Sequence, residues 1–204
     1  MGKKLTEPET FAQKISREQI NKLPIRRYAG NIELVRAPEQ VLPIVTILRR
    51  EPVLGFDTET RPAFRKGQSY KPALLQLATS DRVYIFQLKR TGLPEPLCDV
   101  LGSPCIIKAG VAVRDDIRKL KEIAEFVDRG FVDLGEAASK AGLDNHGLRG
   151  LAAAVLGFRI SKQAQRTNWA RNDLTQAQIA YAATDAWASR GIYLAFRKHQ
   201  IIKP

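Results

Sequence analysis

VLGFDTET, residues 53–60, is the stretch on which the fold turns. Val53 to Phe56 have the character of a buried strand, and they run directly into Asp57, Thr58 and Glu59, with Asp57 expected at the strand's end. In an extended chain, residues i and i+2 project from one face, so Asp57 and Glu59 share a side and Thr58 takes the other. Two carboxylates on one face repel unless a proton or a cation sits between them. A hard divalent ion such as Mg²⁺ or Mn²⁺ resolves that repulsion, because it takes oxygen ligands. Acidic residues are also ordinary at exposed strand ends, so the pair alone decides nothing.

Working outward, the neighbouring segments alternate between strand and helix signals. Ile32–Val35 reads as a strand, and Pro38 opens a helix with Val41, Leu42, Ile44, Val45 and Leu48 on its apolar side. Residues 61–72, RPAFRKGQSYKP, form a basic loop with Pro near each end. Ala73–Ala78 and Val83–Phe86 flank TSDR (79–82), the signature of a hairpin. Cys105–Lys108 reads as a short strand, Asp115 to Phe126 as a helix, and Phe131–Leu134 as a further strand. Leu148–Leu156 is helical, with Gly157 as its C-cap. Ser16 to Gln19 and Thr175 to Gln178 both fit the capping box that opens a helix. The first helix ends before Pro24, and the last runs to about Lys198. Residues 1–15 are polar and expected to be loose. Strands with helices between and after them give an α/β class with a mixed sheet.

The chain has 204 residues, 44% hydrophobic and 26% charged, which suits a globular domain with a full core plus an extension. Residues 1–29 are expected to be an N-terminal extension with one short helix, and residues 30–204 the main domain. No apolar run reaches the roughly 20 residues a bilayer span needs. MGKKLTEPETFAQKISREQ lacks the apolar centre of a secretory leader. A cytoplasmic location is the expectation, and neither a membrane nor an obligatory protein partner is indicated. Cys98 and Cys105 are expected as reduced thiols, and no Cys or His has zinc-ligand spacing.

The net charge is +12, and the sequence pI is near 10. The basic excess lies at the two ends: residues 1–50 hold 10 Lys and Arg against 5 acids, and residues 151–204 hold 8 against 2. Such a balance points to a polyanion, nucleic acid first.

Against that background the acids after residue 150 stand out, because there are only Asp173 and Asp185. Asp185 lies in the last helix, one turn after Tyr181, and Ala180, Ala182, Ala183, Ala186, Trp187 and Ala188 crowd around it. A carboxylate in a closely packed segment needs a partner. A metal ion or one of the many arginines would serve. Asp115 and Asp116 are a third acidic pair, at a helix start where the dipole alone would favour them.

Asp-x-Glu, then a middle Asp, then Tyr-x-x-x-Asp, in that chain order, resembles the DEDD exonuclease superfamily in its tyrosine subtype, and within it the ribonuclease D and Werner-type branch. GFDTET is similar to that branch's first motif. KAGVAVRDDIRKL is similar to the second, whose frame selects Asp116 over Asp115, and YAATDAWASRGIYLAF to the third. PALLQLA (72–78), LRGLAAAVLG and KQAQRTNW also fit the branch, so the resemblance covers about residues 30–198. The second motif lacks the Asn-x-x-x-Phe/Tyr-Asp form of proofreading exonucleases, which argues against an editing role.

This resemblance implies a ribonuclease H-like fold, with a mixed sheet flanked by helices. It implies 3′–5′ exonuclease activity with two divalent metal ions, Mg²⁺ or Mn²⁺, and release of nucleoside 5′-monophosphates, with DNA slightly ahead of RNA as substrate. Asp57, Glu59 and Asp185 would hold the ion that activates water. Asp57 would bridge to the second ion, which Asp116 supports, and Tyr181 would orient the water. Nucleic acid would be held by Arg61, Arg65 and Lys66 after the first motif, by Lys162 and Arg166 before the last helix, and by the Thr58 backbone. Trp169 would either stack on a base or pack in the core behind Tyr181. The rival readings are a ribonuclease for structured RNA 3′ ends, a non-catalytic adaptor on the same scaffold, and an endonuclease or resolvase sharing the core.

Overall fold

The computed structural model describes residues 11–63, 65 and 67–203. In chain order its elements are α1 (Arg17–Lys22), β1 (Asn31–Val35), a 3₁₀ turn at Pro38–Gln40, α2 (Val41–Leu48), β2 (Val53–Thr60), β3 (Pro72–Ala78) and β4 (Arg82–Gln87). There follow α3 (Leu88–Thr91), α4 (Glu95–Gly102), β5 (Ile107–Gly110), α5 (Val113–Lys121), β6 (Phe131–Asp133), α6 (Leu134–Lys140), α7 (Leu148–Leu156) and α8 (Gln176–Lys198).

The strands form one mixed sheet in the order β1-β4-β3-β2-β5-β6. β2, β3 and β4 are an antiparallel meander, and β5 and β6 add parallel on the β2 side. β1 joins the far edge parallel to β4. Strand alternation sends Leu54 and Phe56 to one face, where α2, α4 and α5 cover them. The other face, including Leu74, Ala78 and Ile85, receives the alanines of α8.

Several expectations shift in detail, each for a local reason. β2 does not stop at Asp57; its ladder with β3 continues through Asp57↔Gln76 and Glu59↔Leu74 to Thr60. β5 starts at Ile107 rather than Cys105, because the carbonyls of Ser103 and Ile106 accept from the buried Lys108 ammonium at 2.6 and 2.7 Å. The helix expected over 115–126 is α5, ending at Lys121. Leu134 belongs to α6, not to a strand, because the Asp133 carboxylate caps that helix at the Gly135 and Glu136 amides. Gly157 takes the left-handed conformation that ends α7 (φ 71°).

Residues 11–15 are not loose. Phe11 packs on Phe196 and His199, the Gln13 carbonyl accepts from the Asp144 amide at 2.7 Å, and the Ile15 amide donates to Asn145 Oδ1 at 2.8 Å. Among the described residues no helix is long and apolar enough to cross a membrane.

Candidate active site

β2 and α8 build the site together. Gly55, Asp57 and Glu59 alternate onto the face of the sheet that α8 covers. At Gly55 the helix comes so close that a Cβ atom there would lie 1.9 Å from the Ala186 carbonyl oxygen. Only glycine permits that approach. It sets the preceding helical residue, Asp185, beside the two acids of the strand. Carboxylate oxygens of Asp57, Glu59 and Asp185 all lie within 4.8 Å of one another.

The fourth acid arrives from the other side of the sheet. β5 pairs with β2 only as far as Gly55↔Ala109, so the chain turns away beside the last half of β2. The turn uses Ala112 in the left-handed region (φ 56°), and the Asp133 carboxylate accepts from the Val113 amide at 3.0 Å. α5 then carries Asp116 to Thr58, whose hydroxyl donates to Asp116 Oδ1 at 2.6 Å. Asp115 points outward and pairs with Arg118 at 3.6 Å.

Burial and mutual repulsion dominate the electrostatics. Asp57 is pushed well above the usual carboxylate range by burial, then by Asp185 and Asp116. Glu59 is pushed up to about 10 by burial and by Asp57. Asp185 rises to about 7 through burial, opposed by a hydrogen bond from Tyr181. Asp116 rises to about 6 through burial, opposed by the Thr58 hydroxyl. Tyr181 is pushed far above its ordinary value by burial and by the Asp185 charge, so its hydroxyl keeps its proton.

The donor set fits a divalent ion. Among the described residues no Lys or Arg pairs with any of the four acids; the nearby Arg190 is engaged by Glu51 at 3.6 Å and by the Val53 carbonyl at 3.2 Å. Asp185 Oδ1 is buried without a hydrogen-bond partner. Three clustered carboxylates with an orphaned oxygen and no organic cation leave a hard, oxygen-seeking cation as the group that satisfies them.

Asp57, Glu59 and Asp185 line a cleft of about 820 Å³ that Tyr181 also lines; Asp116 is not among its lining residues. Of the expected nucleic-acid contacts, Thr58 and Lys162 line it. Arg61, Arg65 and Arg166 are exposed but are not among its lining residues, and Lys66 lies outside the described residues. Arg61 instead sits 5.0 Å over the Tyr70 ring, beside a separate groove.

Trp169 does not stack on a base. It is 1% exposed and packs 5.8 Å from the Tyr181 ring, in the core position that was its alternative. The Thr58 side chain reaches Asp116, a contact the sequence reading missed. Also missed were Arg17, Asn21, Asn145, His146, Arg149 and Gln165 on the cleft walls. For Arg149 a signal existed, since it lies within LRGLAAAVLG.

Comparison with known proteins follows the same residues. A family model described as 3′-5′ exonuclease matches residues 32–200. Ribonuclease D of Gluconacetobacter diazotrophicus is 32% identical over 164 residues, 78% of this chain and 41% of that protein. The bifunctional 3′-5′ exonuclease/ATP-dependent helicase WRN of Mus musculus is 33% identical over 147 residues, 69% of this chain and 10% of that protein. The chain thus spans well under half the length of these curated relatives. Among solved structures, the Aedes aegypti Nibbler EXO domain superimposes with a TM-score of 0.76 at 23% identity, covering 86% of this chain and 91% of that one. The mixed sheet and its neighbours are therefore ribonuclease H-like.

Proposed function

The chain belongs to the DEDD 3′-5′ exonuclease family, and from that premise we propose that it hydrolyses the 3′-terminal phosphodiester of a nucleic acid strand, releasing nucleoside 5′-monophosphates. The observation that carries this reading is the cluster of Asp57 and Glu59, half-buried, with the buried Asp185, without a paired Lys or Arg among the described residues, in a cleft they share with Tyr181.

In this reading Asp57, Glu59 and Asp185 would hold divalent ions, and Asp116 would support them from the Thr58 side. Bound there, two Mg²⁺ or Mn²⁺ ions supply Lewis-acid stabilisation of the phosphoryl charge and a lowered pKa for water. Tyr181 is no base, since its phenol stays protonated; its hydroxyl orients the attacking water instead. Partial burial of the acids strengthens each electrostatic contact. Lys162 on the wall attracts the strand, with an affinity that falls as salt rises.

The relatives named ribonuclease D weigh toward RNA, against the DNA slightly favoured by the sequence reading, so the proposal is stated for RNA first. The test uses 5′-labelled RNA and matched DNA with Mg²⁺ or Mn²⁺. The expected result is a ladder shortening from the 3′ end, faster on RNA, and abolished by EDTA and by Asp57→Ala. Binding of either strand without a ladder under both metals would overturn the reading in favour of an adaptor, and cuts within a circular strand would point to an endonuclease.

A further inference from the structure

One wall of the cleft is made by residues that precede the family match at 32–200. Ile15, Arg17 and Asn21 line it together with Asp57, Glu59 and Asp185. This segment is fastened from several directions. Asn145 brackets Ile15, accepting from its amide at 2.8 Å and donating to its carbonyl at 3.2 Å. Arg149 Nη2 donates to Asn21 Oδ1 at 3.1 Å. Phe11 anchors the far end against His199, with ring centroids 4.6 Å apart.

Two guanidinium groups are thereby brought to the cleft with donors to spare. Arg17 is exposed at the first turn of α1 and has no ion pair among the described residues. Arg149 is half-buried, its Nε–H is buried without a partner, and no carboxylate pairs with it among the described residues. A buried donor left unpaired costs free energy that an arriving acceptor recovers. The planar fork of Arg matches phosphate oxygens, and a single Asn contact uses only part of it.

We propose that Arg149 and Arg17 form a phosphate-binding subsite that grips the sugar-phosphate backbone of the strand whose 3′ end lies at the carboxylates. Residues 11–22, although outside the family match, are then part of the substrate-binding surface and decide how a strand enters. The identity of the ligand rests on the exonuclease reading; the geometry of the wall does not.

The experiment measures binding apart from hydrolysis. The 204-residue wild type, Arg17→Gln and Arg149→Gln are titrated into 5′-fluorescein-labelled single-stranded RNA, in EDTA and again with Ca²⁺, and anisotropy is read at several salt concentrations. Each substitution is expected to raise Kd roughly ten-fold and to reduce the slope of log K against log salt by about 0.7. Arg149→Gln also removes the bond that ties Asn21 of α1 to α7, so Arg17→Gln, which breaks no described contact, is the decisive variant; its thermal midpoint should equal that of wild type. An unchanged Kd and salt slope for Arg17→Gln and Arg149→Gln, with a 3′ ladder still formed, overturns the subsite and leaves the exonuclease reading intact. Weakened binding by both variants in a protein that makes no ladder upholds the subsite and removes the exonuclease reading.

Discussion

The Thr58 hydroxyl donates to Asp116 Oδ1 at 2.6 Å, joining the strand that carries Asp57 and Glu59 to the helix that carries the fourth acid. Thr58 projects from the opposite side of β2 to its two acidic neighbours. One strand therefore presents two carboxylates on one face and positions a third from the other. Thr58→Val keeps the shape and removes the donor. Under the proposed function, exonuclease activity at limiting Mg²⁺ should fall about ten-fold, the scale of a hydrogen bond to a charged group. Thr58→Ser should retain most of it. A Mg²⁺ titration of the initial rate checks this: equal activation curves for Val and wild type would remove the role.

A second expectation concerns pH. In the metal-free protein Asp116, Asp185 and Glu59 titrate near 6, 7 and 10, all above their ordinary values of 3.8 to 4.5. Their raised values mean that the folded state binds more protons than the unfolded state across this range. The associated stability is fully present below about pH 4 and is lost as pH rises through 6 to 10. In EDTA the thermal midpoint should therefore drop between pH 5 and pH 8, and the drop should shrink in Asp185→Asn. Added Mg²⁺ should raise the midpoint more at pH 8 than at pH 5, because only ionised carboxylates bind it well. Differential scanning fluorimetry across this grid decides the matter; a midpoint that climbs with pH in EDTA would contradict it.

Gly55→Ala tests the contact between strand and helix. The added Cβ meets backbone, the Ala186 carbonyl, which cannot rotate away. The expected cost is ~3 kcal/mol, at the upper end for overpacking, read from urea denaturation. Because α8 must retreat to admit the methyl group, activity of the folded fraction should fall as well. A stable, fully active Gly55→Ala would mean that the helix tolerates displacement.

Tyr181→Phe separates positioning from ion binding. The ring still fills its place against Trp169, and all four carboxylates remain. Turnover should fall by two orders of magnitude or more, within the range for losing a positioned catalytic group, while Mg²⁺ binding measured by calorimetry stays near wild type. Undiminished turnover would rule out the water-orienting role.

How much of this was legible beforehand depended on the kind of signal. Both capping boxes, the Gly157 cap and the hairpin around Thr79–Arg82 are local chemistry, fixed within a few residues, and each appears in the structure. The short helices α3, α4 and α6 carry too few turns to establish a period, and tertiary packing supplies what propensity does not. The four acids and Tyr181 could be chosen because their order along the chain repeats a known pattern. The cleft walls could not. Ile15 meets Asn145 across 130 positions, and Asn21 meets Arg149 across 128. Trp169, read in part as a nucleic-acid contact, shows the converse: an aromatic residue among basic ones reads as a binding face until its burial is known.

The absent side chain at Gly55 has a last consequence. Backbone rests on backbone there, so the spacing between the strand's acids and the helix's acid is held by the least compliant atoms in the molecule. Side-chain rotamers elsewhere can adjust to temperature or to a neighbouring substitution, but this spacing has no rotamer to adjust. The separation of the two backbones that carry the acids would then be inherited from the chain's own covalent framework, and widening the site would have to begin by moving α8.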